Sequence, residues 1–221
     1  MLTFYPHNFC LRSPFLPVVN AAHLARYTLA ISAKCVALAR LLSPRRILLS
    51  LAFFRCGMHF CPGFSLEVHF PERISIGSHF SSGRFLRLHA WPCYASLEVQ
   101  GARNILIDIG SNVFINSQSY ITAAYGVRIG SNCLFGSNVL ITDNAHGDST
   151  LSPLPRISRP LAVKGVVEIG ENVWLCNNVV VASGVSIGHN SIVAANSVVL
   201  DSFPVSSLIG GAPARLLMRL V

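Results

Sequence analysis

Aliphatic residues recur at every sixth position over long stretches of this chain, and very few folds can accommodate that beat. From Ile169 it runs through Leu175, Val181, Ile187, Val193, Val199 and Val205 without a missed step. Upstream it runs Ile109, Ile115, Ile121 and Val127, then resumes after a two-residue slip as Ile129, Phe135 and Ile141. A period of six fits neither a helix at about 3.6 nor a strand at about two, so it marks a repeated unit of one short strand and one corner. Five Ile-Gly dipeptides, at Ile76, Ile109, Ile129, Ile169 and Ile187, each open an Ile-Gly-x-Asn or Ile-Gly-x-His tetrad. Ile169 to Ile187 is eighteen residues, Ile109 to Ile129 is eighteen plus two, and Ile129 to Ile169 reads as thirty-six plus four. Three sixes make one coil, which predicts a mainly β chain wound as a parallel β-helix of triangular section, with coils about 4.8 Å apart. Aliphatic side chains point into the prism, and small or Asn residues take the positive φ angles of the corners. A β-sandwich would have no reason to keep strict sixes.

The repeats occupy residues 72–221, leaving 1–71 as an amino-terminal extension, partly helical. Leu24, Tyr27, Ile31 and Cys35 fall at helical spacing, Pro44 breaks the pattern, and a second apolar run follows from Ile47 to Phe54. Hydrophobic residues make up 52% of the 221 residues, and much of that is the inward rows of the solenoid. Between Val18 and Phe54 the charges of Arg26, Lys34, Arg40, Arg45 and Arg46 interrupt every apolar run, so no segment reaches the length of about 18 residues needed to span a bilayer. Six positive and no negative side chains from Arg26 to Arg55 suit packing against the solenoid or a neighbouring subunit, or peripheral contact with an anionic membrane face. The first seventeen residues carry Pro6, Pro14 and Pro17 and no compact apolar core, unlike a secretory signal.

Seven cysteines with no CxxC pair argue against a disulfide framework and a zinc knuckle, and the chain reads as cytoplasmic, with the inner membrane face as an alternative address. The formal net charge is +8, but the arginines are scattered without interleaved aromatics, so nucleic acid is not the expected partner. A small phosphorylated co-substrate accounts for the excess equally well.

Chemistry is expected where the beat fails, over 143–167, because solenoids carry insertions at corners and such loops form binding faces. His146 stands at the foot of this loop, just after the regular strand Val139 to Thr142, where an anchored backbone presents the imidazole as a general base. Asp143 and Asp148 flank it as carboxylates able to hold its tautomer.

From about Glu72 to Val221 the chain resembles the hexapeptide-repeat acyltransferases, most closely the branch with galactoside, maltose and polysaccharide O-acetyltransferases. The family's Asn after an Ile corresponds to Asn116, and its catalytic His at the start of a protruding loop to His146, thirty residues on. Its closing signature corresponds to Trp174, then Gly184-Val185-Ser186-Ile187-Gly188, Ala195-Asn196-Ser197-Val198-Val199 and Gly211-Ala212-Pro213-Ala214-Arg215. The resemblance implies a left-handed β-helix working as a homotrimer, and transfer of acetyl from acetyl-CoA to a sugar or glycan hydroxyl without a metal. In that frame His146 is the base and Asn116 orients the sugar or the His. A backbone amide near Asn177 or Ser183 meets the oxyanion, Trp174 lines the pantetheine channel, Ala195 lets the pantetheine approach the corner, and Arg215 and Arg219 meet CoA phosphates. Each has a structural counter-reading: Trp174 as a wall residue, Ala195 as a tight corner, the two arginines as solvated charges, and Asn116 as a rung of an asparagine ladder.

The pattern departs from the galactoside and maltose enzymes at Ala123 and Ala124, where those carry an acidic residue, and the Pro-containing loop after His146 is closer to capsule, O-antigen and exopolysaccharide acetyltransferases. N-transfer to an amino sugar or xenobiotic is the main alternative. A γ-class carbonic anhydrase is disfavoured because His69, His79 and His89 show no ligand spacing and Leu151 stands where a partner of His146 would be. A non-catalytic trimerisation scaffold completes the set.

Overall fold

The computed structural model describes residues 47, 50–94, 97–98, 103–147 and 155–221. Short parallel strands stack into three walls. The first wall holds Arg55–Cys56, Ile74–Ile76, Ile107–Ile109, Val127–Ile129, Val167–Ile169 and Ser186–Ile187. The second holds Ser81–Ser82, Phe114–Ile115, Leu134–Phe135, Trp174–Leu175, Ile192–Val193 and Ser207–Gly211, closed by the antiparallel strand Ala214–Arg219. The third holds Glu67–His69, Arg87–Ala90, Tyr120–Ala123, Leu140–Thr142, Val180–Val181 and Val198–Val199. The chain visits the walls in that order in every coil. Apart from the closing hairpin, each wall strand bonds only to the coils above and below, as a solenoid requires.

The six-residue beat is the inward column. Ile109, Ile115, Ile121, Phe135, Ile141, Leu175, Val181, Val193 and Val199 are all essentially inaccessible to solvent. Val205 is the exception. The last turn of the first wall is made by Phe203, bridged to Ile187 after sixteen residues rather than eighteen, which turns Val205 outward at 46% exposure.

The corners divide their labour between two residues. Positive φ falls on the fourth position of the tetrad, at His79, Asn112, Asn132, Asn172 and Asn190. Several of these side chains bond one coil to the next, as Asn112 Nδ2 does to Asn132 Oδ1 at 2.9 Å and Asn172 Nδ2 to Asn190 Oδ1 at 2.8 Å. The glycines serve a different purpose: a Cβ on Gly130 would lie 2.6 Å from Glu171 N and 2.6 Å from Gly170 C, and one on Gly110 would lie 2.6 Å from Ser131 N. Backbone packs on backbone there, and no side chain fits.

Two further sequence expectations are corrected. Ile129 pairs directly with Ile169, so the forty residues between them are one coil with an insertion of 40 − 18 = 22, not two coils plus four. Ile76 likewise pairs with Ile109, and 33 − 18 = 15 residues are inserted there, including the antiparallel pair Cys93–Tyr94 and Leu97–Glu98. The repeats also begin before residue 72. Arg55–Cys56 and Glu67–His69 are already wall strands, Phe53, Phe60 and Leu66 are in the core, and Leu41–Val221 forms one unit. Aromatic fillers replace the aliphatic beat in this first coil, which hid it.

The expected helix through Leu24 and Cys35 lies outside the described residues. Residues 47 and 50–52 are helical, and no described helix is long and apolar enough to cross a membrane. Cys133 is a buried wall residue whose thiol pKa is pushed up to about 11 by burial, making it an inert packing group.

Because the Gly130 contact is with backbone, Gly130→Ala is expected to lower stability by about 2–3 kcal/mol. Gly126→Ala, whose Cβ would meet only side-chain atoms at 3.4 Å, should cost about 1 kcal/mol or less. Urea denaturation of the two variants checks the contrast; equal losses would contradict it.

Candidate active site

Both insertions leave the prism at the corner between the third and first walls. The longer one departs as Asn144–His146 and returns as Leu161–Val163, an antiparallel pair in which His146 faces Leu161. His146 is exposed and lines a cleft of about 380 Å³ with Trp91, Tyr120, Thr122, Leu140, Thr142, Asn144 and Leu161. The floor is the outer face of the third wall, and Trp91 arrives from the shorter insertion. Trp91 Nε1 donates to Thr122 Oγ1 at 3.1 Å, which fixes the indole against the floor. Two aromatic faces, several hydroxyl and amide groups and one imidazole thus converge on a concave site.

The loop is held at its root by Asp143 and Ser183. Asp143 is fully buried. Its carboxylate accepts from the backbone N–H groups of Ala124 at 2.8 Å, Tyr125 at 2.8 Å and Gly126 at 2.5 Å, and from Asn144 Nδ2 at 2.8 Å. It ties the loop to the preceding coil and is not the partner that orients the imidazole, correcting the sequence reading; Asp148 lies outside the described residues. Ala123 and Ala124, the small residues at which the pattern departs from the galactoside enzymes, are both buried. Ser183 braces the loop from the next coil: its hydroxyl donates to Asp143 O and accepts from Lys164 N at 2.9 Å. One side chain thereby joins departure and return.

The remaining sequence candidates lie elsewhere on the prism. Asn116 follows the second-wall strand Phe114–Ile115, and its Oδ1 accepts from Ser117 N at 2.7 Å, capping the corner between the second and third walls. Asn177 occupies the equivalent corner two coils on. Its Oδ1 accepts from Ser137 N at 2.8 Å, and it borders a groove with Phe85, Arg87, Gln118, Ser137, Asn138 and Asn178. Ala195 is exposed at the same corner one coil further. Trp174 projects outward from the second wall at 45% exposure, between Leu134 and Ile192. Arg215 and Arg219 sit on the closing strand of that wall. Arg215 is lightly engaged, 3.4 Å from Asp201 Oδ2 with both side chains exposed, a pair of little net worth that a phosphate can displace. Arg219 Nη1 is 3.5 Å from Ser207 Oγ. Within one chain, then, none of Asn116, Trp174, Asn177, Ser183, Ala195, Arg215 and Arg219 lines the His146 cleft.

Sequence reasoning missed Trp91, Tyr120 and Thr122. The available signal was the spacing from Ile76 to Ile109, fifteen residues too long for one coil, which announces a second loop at the corner that carries His146. It also separated histidines that the fold stacks. His69 pairs with His89 in the third wall, with ring centroids 4.0 Å apart and planes 3° from parallel. His89 is buried, and its pKa is lowered by that burial and then by the neighbouring His69.

Residues 167–201 match the family model described as bacterial transferase hexapeptide (six repeats), and residues 107–143 that of the hexapeptide repeat of succinyl-transferase. The putative lipopolysaccharide biosynthesis O-acetyl transferase WbbJ of Escherichia coli is 35% identical over 182 residues, covering 79% of this chain and 85% of its own. The chain is a hexapeptide-repeat acetyltransferase. Galactoside O-acetyltransferase of Escherichia coli is 31% identical over 119 residues, covering 52% of this chain and 54% of its own, so this chain spans about half of that relative. Among solved structures, a hexapeptide-repeat acetyltransferase of Vibrio cholerae complexed with acetyl coenzyme A superposes with a TM-score of 0.52 at 25% identity, over 91% of this chain and 90% of that one. An N-acyltransferase of Bacillus cereus in complex with dTDP and coenzyme A gives 0.65 at 19% identity, over 82% and 91%, a likeness of fold alone. The prism is accordingly the left-handed β-helix of this family.

Removal of the Asp143 carboxylate leaves three backbone donors of the corner unpaired. Asp143→Ala is therefore expected to cost about 2–4 kcal/mol, read as a drop in the urea midpoint. An unchanged midpoint would show that the corner does not depend on it.

Proposed function

We propose that this acetyltransferase moves acetyl from acetyl-CoA to a hydroxyl of a sugar unit in a bacterial surface polysaccharide or lipopolysaccharide, with His146 as general base. The observation that carries the reading is the presentation of His146 on a rooted hairpin beside two aromatic faces. Trp91 and Tyr120 offer apolar surface to a pyranose ring, while Thr122, Thr142 and Asn144 offer hydrogen bonds to its hydroxyls. The size of the neighbouring WbbJ match favours a glycan acceptor over a free disaccharide. His146 accepts the proton of the acceptor hydroxyl as its oxygen adds to the thioester carbonyl, giving a tetrahedral oxyanion. Collapse breaks the carbon–sulfur bond, and the imidazolium returns its proton to the CoA thiolate. No acyl-enzyme forms, and donors near Asn177 or Ser183 are the candidates for holding the oxyanion.

The donor set is assigned to a neighbouring surface. Trp174, Ala195, Arg215 and Arg219 follow the second wall and its corner, with Arg215 free to exchange Asp201 for a CoA phosphate. A cyclic homotrimer with its prisms side by side would set this wall of one subunit against the His146 cleft of the next, with Asn116 and Asn177 at the shared corner. The separation of the two residue sets within one chain is what supports that assembly. The basic amino-terminal segment would then suit a cytoplasmic enzyme working peripherally at the inner membrane face, close to a lipid-linked acceptor.

Free-thiol release from acetyl-CoA, assayed with hydroxyl sugars, amino sugars and lipid-linked glycans, tests the reaction. His146→Ala should reduce acceptor-dependent release by about 10²–10⁴-fold with unchanged CoA binding; unimpaired release would remove His146 as the base, and release with amino sugars alone would make the enzyme an N-acetyltransferase. Shared sites carry a second expectation. Mixing inactive His146→Ala with inactive Arg215→Ala subunits should restore part of the activity, whereas no restoration after confirmed subunit exchange would place each site within one subunit.

A further inference from the structure

Next to the cleft, on the same outer face of the third wall, three potential ligands converge in a way the transfer reaction does not use. Glu67 and His69 come from one strand and His89 from the next coil. Glu67 Oε1 lies 3.0 Å from His89 Nε2 and 3.5 Å from His69 Nε2, and the three ligand atoms fall within 4.8 Å of one another. Around a tetrahedral ion with bonds of about 2.0–2.1 Å, neighbouring ligand atoms are about 3.3–3.4 Å apart, so the two measured separations bracket the required one.

His89 adds an independent indication. Its side chain is more than nine-tenths buried, and Nε2 meets the Glu67 carboxylate at 3.0 Å in an alignment poor for a hydrogen bond. Its other nitrogen, Nδ1, is 3.0 Å from the Tyr120 hydroxyl. If Nδ1 carries the proton and donates to that oxygen, the Nε2 lone pair is directed at Glu67 and His69. This is the arrangement by which an outer hydrogen bond orients a metal-binding imidazole. Arg87 lies over the Tyr120 ring at 4.3 Å and Trp91 packs edge-on against both imidazoles, so the tyrosine and His89 are held in place. Glu67 and His69 are about half exposed, leaving the opposite side open to water or another ligand.

We propose that Glu67, His69 and His89 form a binding site for a divalent transition-metal ion of the zinc class, with two imidazole nitrogens and one carboxylate oxygen as ligands and Tyr120 as the outer support of His89. The ion clamps the first two coils of the third wall beside the acceptor cleft. It takes no part in the transfer chemistry assigned to His146. Parallel rings tilt toward each other on binding, a small change for the half-exposed His69.

The test uses the full chain, stripped with chelator, dialysed and titrated with Zn²⁺ by calorimetry beside a Glu67→Gln, His69→Ala double variant. The wild type should bind one equivalent that the double variant binds at least ~100-fold more weakly, with any sites elsewhere common to both. Tyr120→Phe should keep the equivalent but weaken it by ~10-fold. Identical isotherms for wild type and double variant would overturn the proposal. A measurement on wild type alone guards against a variant that does not fold: Zn²⁺ should protect His69 from diethylpyrocarbonate while leaving the exposed His59 reactive, read by mass spectrometry. Equal modification of both with and without the ion would overturn the site as well.

Discussion

Backbone rests on backbone at one corner of every coil, and the rest of the molecule follows from that contact. Gly77, Gly110, Gly130, Gly170 and Gly188 stack in a column where a Cβ would strike the next coil within hydrogen-bond range of its main chain. Such an approach sets the coil spacing, and with it the register of all three walls, because each wall strand outside the closing hairpin finds its partners only in the coils directly above and below. The residue two places on then takes the positive φ, with Asn or His supplying a side chain that can bond or stack on the next corner. Closure of the prism and burial of the aliphatic columns depend on this division between a residue with no side chain and a residue with a short polar one.

A corner is also the one place where such a prism can lose its period without losing its core. The two insertions leave between the third and first walls, and the strands on either side, Val127–Ile129 and Val167–Ile169, still pair in register across twenty-two extra residues. What makes this possible is a set of fasteners at the root: Asp143 binding three backbone amides of the coil beneath, and Ser183 joining departure and return from the coil above. His146 is thereby carried on a loop yet positioned by the rigid wall, three residues from a fully buried carboxylate. The role of general base that we propose for His146 gains from that arrangement, since misplacement of the reacting groups by even about 1 Å erodes rate steeply.

The outer face of the third wall gathers aromatic, hydroxyl and imidazole side chains for a related reason. Stacked coils place equivalent positions of successive coils side by side about 4.8 Å apart, so any side chain that recurs once per coil forms a row. Asparagines form rows at two corners, His59 stacks on His79 and His69 on His89, and Trp91, Tyr120 and Thr122 share a floor. Rows of this kind are legible in a sequence only once the coil length is known locally. His69 and His89 are twenty residues apart, one coil with two extra residues, and read as unrelated until the walls are in register.

The six-residue beat and the Ile-Gly tetrads by themselves determined the parallel β-helix, its inward columns and its corners, because periodic burial is a local property that repeats in the chain. They also located the break that carries His146. Insertions defeated the same arithmetic: forty residues from Ile129 to Ile169 divide almost evenly into two coils, and only the pairing of the strands shows one coil with a long loop. Aromatic fillers at Phe53 and Phe60 concealed the first coil, and the two-residue contraction before Phe203 displaced Val205 from the core. Tertiary structure alone decided that Asp143 is a fastener and not a partner of His146, that Trp91 and Tyr120 form the cleft, and that Glu67, His69 and His89 meet. Each of those facts depends on which residues lie one coil apart, and that distance is set by loop lengths whose ends only the folded walls bring together.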